Sequence, residues 1–255
     1  MDETEELIRL CVRALVAQMG GVPGVEMHMT RDCILGLTGE PLADFNMLTL
    51  GSDPDAEGFL TRAVARAKSR GLPLTAMMSP HVAQALAPVA TRLGLRAVGT
   101  SPLMVLRAGT SVPASRPVKV TRALGAELVG VAGDLVAAAF DVQRDAVARC
   151  IDVGVTATAG LETYIAWGDD GAMSAVTVTP TGNTAGISLM ATPPRHQRKG
   201  LGRALLTQVI DDYRGRGVER FHLGATEAGR PLYASLGFEP IADLTAWLLE
   251  AAPDR

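Results

Sequence analysis

Residues 187–206, ISLMATPPRHQRKGLGRALL, constrain this chain more than any other stretch. The run from Ile187 to Thr192 reads as a strand. Pro193-Pro194 stops it, because proline has no N–H for a sheet ladder. A basic, glycine-containing turn follows. Leu201, Ala204, Leu205, Val209 and Ile210 then recur at helical spacing. A strand that hands over through a turn to a helix N-terminus leaves backbone N–H groups pointing one way, a physical device for holding a phosphate. Arg195, His196, Arg198, Lys199 and Arg203 crowd that turn.

The rest of the chain supplies the same kinds of elements twice. The first half reads as a helix (Glu5 to Met19), strands at Val25 to Thr30, Cys33 to Leu37 and Asn46 to Leu50, and a helix from Asp53-Pro54-Asp55 to Ser69. A strand (Leu74 to Met78), a helix (Pro80 to Leu93) and a strand (Ala97 to Leu106) complete it. Ala108 to Pro117, AGTSVPASRP, is small, polar and proline-containing, and reads as a linker. Beyond it come a strand (Val118 to Arg122), a helix (Gly125 to Phe140) and a second helix (Val142 to Ile151). Strands at Glu162 to Trp167, Ala172 to Thr179 and Gly186 to Thr192 follow, with hairpin turns at Gly168–Gly171 and Thr181-Gly182-Asn183. The helix from Gly200 to Tyr213, a strand (Glu219 to Gly224), a short helix (Ala228 to Leu236) and a last strand region (Phe238 to Leu249) close the second half. Arg70-Gly71 lies over Arg216-Gly217, and Leu93-Gly94-Leu95 over Leu236-Gly237-Phe238, which points to an internal duplication.

Composition excludes several classes. A hydrophobic content of 47% against 20% charged residues is material for packed cores rather than for disorder. A net charge of -3 gives no global basic field, and aromatics are only 4%, so no nucleic-acid partner is expected. Cys11, Cys33 and Cys150 are scattered and odd in number, without metal-ligand spacing. No metal is expected, and a reducing cytoplasm is the expected compartment. The acidic start MDETEELIRL does not read as a signal peptide, and no window reads as a membrane span.

Gln197-Arg198-Lys199-Gly200-Leu201-Gly202 fits the pattern [R/Q]-x-x-G-x-[G/A]. One strand further on stands Pro231-Leu232-Tyr233-Ala234-Ser235-Leu236-Gly237-Phe238. In this order, and with a strand before and a helix after the first motif, the pair resembles the two landmarks of the GNAT superfamily of N-acetyltransferases. The detailed resemblance covers about Val118 to Leu249. It implies an α/β (layered α+β) chain of two tandem GNAT-like domains, each a mixed, mostly antiparallel twisted sheet flanked by helices. The expected domains are 1–110, a degenerate copy without a cofactor site, and 117–255, the acetyltransferase.

The resemblance also implies roles. Backbone N–H groups from Gln197 to Arg203 (Gln197, Arg198, Lys199, Gly200, Leu201, Gly202 and Arg203) would hold the pyrophosphate of acetyl-CoA. Gly200 and Gly202 would allow close approach of the backbone. The pantetheine arm would run beside Met190, Ala191 and Thr192. Tyr233 matches the family's general acid, which protonates the departing thiolate. The implied reaction is direct transfer, in a ternary complex, of an acetyl group from acetyl-CoA to an amine-bearing acceptor, a small molecule or a protein. Alternatives are a non-catalytic module that senses or holds acyl-CoA, and a transferase using a longer acyl group. No membrane partner is expected. The first domain is expected to imitate a family homodimer within one chain, as a monomer with an intrachain pseudo-dimer or as a homodimer.

This sequence departs from the family pattern in three places. Thr226 stands where many members carry an asparagine, so its contact with the cofactor is open. In the first half the loop Leu50–Gly58 is acidic, and Ala90 occupies the position of Tyr233. No general base is evident. Glu162 and His222 are the nameable candidates, each also readable as a surface or core residue, and His196 reads as a surface residue. Asp169-Asp170 reads as turn chemistry, and the methionines of the first half as core filling.

Overall fold

The computed structural model describes residues 2–158 and 160–251. The chain forms two compact units. One comprises the residues up to Leu103 together with those from Ile241 on, and the other comprises Met104–Pro240.

In the first unit, α1 (Glu3–Met19) starts at Asp2, whose side chain accepts from the Thr4 N–H. Glu3, Glu5 and Glu6 occupy its first turn, where the helix dipole favours negative charge. Strands β1 (Glu26–Met29), β2 (Cys33–Leu37) and β3 (Asn46–Leu50) form an antiparallel meander. Helix α2 (Ala56–Ser69) leads to β4 (Leu74–Met78), which pairs parallel with β3. Helix α3 (Pro80–Arg92) and strand β5 (Arg96–Leu106) follow.

The second unit repeats this plan with additions. Strand β6 (Lys119–Arg122) precedes α4 (Gly125–Phe140), α5 (Arg144–Val147), a π-helical stretch (Ala148–Asp152) and α6 (Val153–Ala157). Strands β7 (Glu162–Gly168), β8 (Gly171–Thr181) and β9 (Thr184–Ala191) form the meander. Helix α7 (Leu201–Gly215) leads to β10 (Arg220–Gly224), parallel to β9, and then to α8 (Arg230–Ala234). Alternation sorts the side chains between two helical layers. Tyr164, Ala166, Val176 and Val178 pack with Leu205, Val209 and Ile210 of α7. Ile165 and Ala175, one residue out of phase, pack with Val129, Ala132 and Leu135 of α4.

The last strand, β11 (Glu239–Leu249), departs from a contiguous division of the chain. It was expected to close the second half. Instead it runs antiparallel to β4, with Thr245 opposite Met78 and Leu249 opposite Leu74. Trp247 and Leu249 sit in the first unit's core with Leu50, Leu74 and Met78. Reciprocally, Met104 and Leu106 at the end of β5 belong to the second unit's core with Val176 and Phe221. Alternation shows which face of a strand is buried; it does not show which neighbour takes the backbone hydrogen bonds.

Each unit also clasps the first strand of its meander to the end of the crossover helix. Glu26 opens β1 and pairs with Arg66 and with Arg70, the residue capping α2, at 2.6 and 3.3 Å. Glu162 opens β7 and binds Arg216, the residue capping α7, through two hydrogen bonds of 2.8 and 2.9 Å. Glu162 additionally accepts from Tyr164 and Tyr213 at 2.6 and 2.8 Å, and the Arg216 guanidinium lies 4.1 Å above the Tyr213 ring.

Candidate cofactor cleft

The parallel ladder between β9 and β10 is short. It joins Thr184, Ala185 and Gly186 to Arg220, Phe221 and His222, and β9 itself runs on to Ala191. The strands part, and a cavity of about 440 Å³ opens where they do. Its walls come from β9 (Ile187 to Met190), the turn before α7, the segment after β10, α8, and Ala139 and Phe140 at the end of α4. The parting coincides with a bulge. Thr177 faces Ser188 and Ala175 faces Ala191, so β9 carries one residue more than β8 between these pairs. Leu189, inside the bulge, has φ of 49°, a left-handed conformation that a branched side chain rarely adopts.

The turn before α7 gathers backbone N–H groups and cationic side chains. Pro194–His196 forms one 3-10 turn, Arg198 has φ of 58° and Gly200 has φ of 75°. Ala204 N–H is the first to bond back, to the Gly200 carbonyl at 2.9 Å. The N–H groups of Leu201, Gly202 and Arg203 therefore lie at the positive end of the helix, where no intrahelical acceptor exists. The Gln197 side chain donates to the Thr192 carbonyl at 3.0 Å and ties the turn to the strand end. Thr192 in turn shares a 2.8 Å hydrogen bond with Ser174. Among the described residues, Arg198, Lys199 and Arg203 form no ion pair, so their charge remains for a ligand.

The two glycines serve different ends. Gly200 supplies a left-handed φ, and a Cβ there would meet nothing within 4 Å. Gly202 supplies space. A Cβ there would lie 3.0 Å from Met190 Cε and 3.3 Å from Thr192 Oγ1.

Tyr233 is buried on α8 and packs edge-on against Phe238 at 5.9 Å. Burial pushes its phenol up to about 12, so it keeps its proton at neutral pH. Thr226 orders the approach to α8. Its hydroxyl and its carbonyl both accept from the Gly229 N–H at 3.1 Å.

Of the residues singled out from the sequence, Met190, Thr192, Gln197, Arg198, Gly200, Leu201, Gly202, Arg203, Thr226 and Tyr233 line this one cavity. Ala191 and Lys199 do not. Ala191 is buried opposite Ala175, and its carbonyl accepts from Ser174; Lys199 points to solvent. His196 is not a surface residue. It is buried, accepts from Arg195 Nε at 3.0 Å, and is held below its usual pKa by burial and then by Arg195 and Lys199. Neither nameable base reaches the cavity. Glu162 is held to about 2, chiefly by Arg216, and His222 packs its ring against Gly186. Phe140, Leu189 and Gly229 line the cavity without having been foreseen. The glycine before Arg230-Pro231 was a usable signal, whereas a leucine at positive φ carries none.

Residues 159–240, which hold the splayed parallel strand pair, the glycine turn and the phenol on the next helix, match the family model described as Acetyltransferase (GNAT) domain. A mycothiol acetyltransferase of Beutenbergia cavernae is 39% identical over 66 residues, which is 25% of this chain and 22% of that protein. The match thus spans about a fifth of that relative's length. Among solved structures, a GCN5-related N-acetyltransferase from Kribbella flavida shares the fold over 100% of this chain and 97% of its own, at a TM-score of 0.71 and 16% identity. A tandem GNAT protein from the clavulanic acid biosynthesis pathway shares it over 92% of this chain and 86% of its own, at 0.59 and 16%. No helix among the described residues is long and apolar enough to cross a membrane.

Proposed function

We propose that the second unit binds acetyl-CoA in the cleft between β9 and β10 and transfers its acetyl group to an amine of a small molecule or protein. The observation that carries this reading is the convergence, in one cavity, of the α7 N-terminus, the Arg198 and Arg203 cations of the turn, the end of β9 and the Tyr233 phenol. The N–H groups of Leu201, Gly202 and Arg203 suit a pyrophosphate, and Arg198 and Arg203 add charge. The β9 backbone where it lines the cavity would run alongside a pantetheine arm and face the developing oxyanion. Tyr233 protonates the departing sulfur.

Calorimetry with acetyl-CoA tests the binding, and release of free thiol over a panel of primary amines tests the transfer. Tyr233→Phe is expected to lower kcat by about a hundredfold with the KM for acetyl-CoA little changed. No heat of binding from the intact chain would sink the whole reading. Unchanged turnover in the variant would remove only the role of Tyr233.

One observation favours a second reading, in which the unit holds acyl-CoA without turning it over. No carboxylate lines the cleft among the described residues, and its one imidazole, His196, is engaged by Arg195. Binding without thiol release across the panel would establish that reading.

A further inference from the structure

The acceptor amine arrives as a cation and must lose a proton before it can attack, yet among the described residues no carboxylate lines the cleft and His196 is engaged by Arg195. Behind β9 there is one candidate. Asp152 ends the π-helical stretch, and its Oδ2 accepts from Arg144 Nη2 at 2.7 Å. Its Oδ1 is buried and has no hydrogen-bond partner among the described residues. The carboxylate lies so close to Gly133 of α4 that a Cβ there would stand 2.3 Å from Oδ1. Asp152 lines a small internal cavity of about 10 Å³ together with Thr163, Thr177 and Leu189. Thr163 and Thr177 are buried and share a 2.8 Å hydrogen bond. The space is that of about one water, and the carboxylate and two hydroxyls offer the partners such a water needs. Leu189, the bulged residue, lines both this cavity and the cofactor cleft.

Building on the acetyl-transfer reading above, we propose that Asp152 takes the proton from the acceptor amine, through one water held between Asp152 Oδ1 and the Thr163–Thr177 pair beside the Leu189 bulge. The ammonium gives one proton through that water to Asp152. The freed nitrogen lone pair forms the N–C bond, the C–S bond breaks, and the sulfur takes a proton from Tyr233. The second proton leaving nitrogen restores Tyr233, and Asp152 releases its own to solvent. The net release is one proton per acetyl transferred. Burial raises the Asp152 carboxyl above its usual value, against the pull of Arg144, which brings a carboxylate closer to useful basicity. The charged groups facing it are Arg144 on α5 and Asp134 on α4. The residues facing it from β7, β8 and β9 (Thr163, Thr177 and Leu189) are uncharged.

The test uses the full chain, acetyl-CoA and two probe acceptors. Benzylamine is protonated at neutral pH and needs a base; hydroxylamine is neutral and does not. Asp152→Asn is expected to lower kcat/KM for benzylamine by about a hundredfold at neutral pH. The loss should disappear as the pH approaches the amine's own pKa, with transfer to hydroxylamine and the Kd for acetyl-CoA unchanged. Thr177→Val leaves the Asp152–Arg144 pair intact and should show the same selectivity at about a tenfold loss. An Asp152→Asn enzyme with the wild-type pH profile overturns the inference. So does an equal loss with both acceptors, which would mark Asp152 as merely structural. If wild-type protein neither binds acetyl-CoA nor acetylates either probe, the acetyl-transfer reading fails and takes this one with it.

Discussion

The two units solve the same folding problem and differ where chemistry would occur. Both clasp a strand-opening glutamate to the arginine that caps the crossover helix, Glu26 to Arg70 and Glu162 to Arg216. Both then place a parallel strand beyond that helix. In the first unit the parallel pair stays closed to its end, with Leu50 opposite Met78 and the Ser79 N–H on the Leu50 carbonyl at 3.0 Å. In the second it opens after Gly186 and His222. The turns differ in the same sense. Between β3 and α2, the Ser52 N–H donates to Glu5 at 3.1 Å and the Asp55 N–H to Asp53 at 2.9 Å. These carboxylates occupy, within the chain, the place an anionic ligand would take. Between β9 and α7 there is no acidic residue, and among the described residues Arg198, Lys199 and Arg203 form no ion pair. A shared scaffold therefore does not imply a shared site: the two units differ in which strand pair opens and in the charge of the turn before the crossover helix.

The largest expected effect lies in the clasp. Glu162 is buried, and its carboxyl is held from 4.5 down to about 2, first by Arg216. Its contribution is therefore full above about pH 4.5 and is lost as the pH falls from there towards 2. Glu162→Gln should cost about 3 kcal/mol in urea unfolding at neutral pH and flatten the acid limb of stability. Next comes the cleft. Gly202→Val drives a side chain into Met190 and Thr192, and calorimetry should show acetyl-CoA affinity reduced about a hundredfold, or about 2.7 kcal/mol. Glu26→Gln should cost only about 1 kcal/mol or less, because Arg66 is half exposed and water screens the pair. A loss as large as that for Glu162→Gln would show that the clasps are equivalent after all. The smallest effect is expected from Asp53→Asn combined with Asp55→Asn. Removing those charges should leave acetyl-CoA stoichiometry at one per chain, since β3 and β4 remain zipped. A second equivalent bound would show that charge alone closes the first unit.

The site was legible in the sequence to the extent that it rests on local chemistry. Pro193-Pro194, the Gly200 turn and the amphipathic run after it carry their own backbone instructions, and Leu232-Tyr233 marks the helix that completes the cavity. The duplication was legible because Arg70 and Arg216 cap equivalent helices. What stayed hidden depends on distant partners. Nothing in Glu239–Leu249 says that its ladder lies on β4. The bulge at Leu189 arises from the register between β8 and β9. The segment from Arg144 to Ala157, which reads as one helix over Val142 to Ile151, is broken by a π-helical stretch. That break places Asp152 against Gly133, and no periodicity records it.

The placement of β11 in the first unit has a consequence for how the chain comes to be folded. A ribosome delivers residues in order, and a first domain ordinarily folds while the second is being made. Here the first unit's core lacks Trp247 and Leu249 until residues 104–240 have been synthesised, a delay on the order of ten seconds at ordinary elongation rates. During that interval β4 presents an unpaired edge bearing Leu74, Ala76 and Met78, the kind of edge that recruits wrong partners. Completion of the first unit is thus tied to a single late event, the arrival of β11.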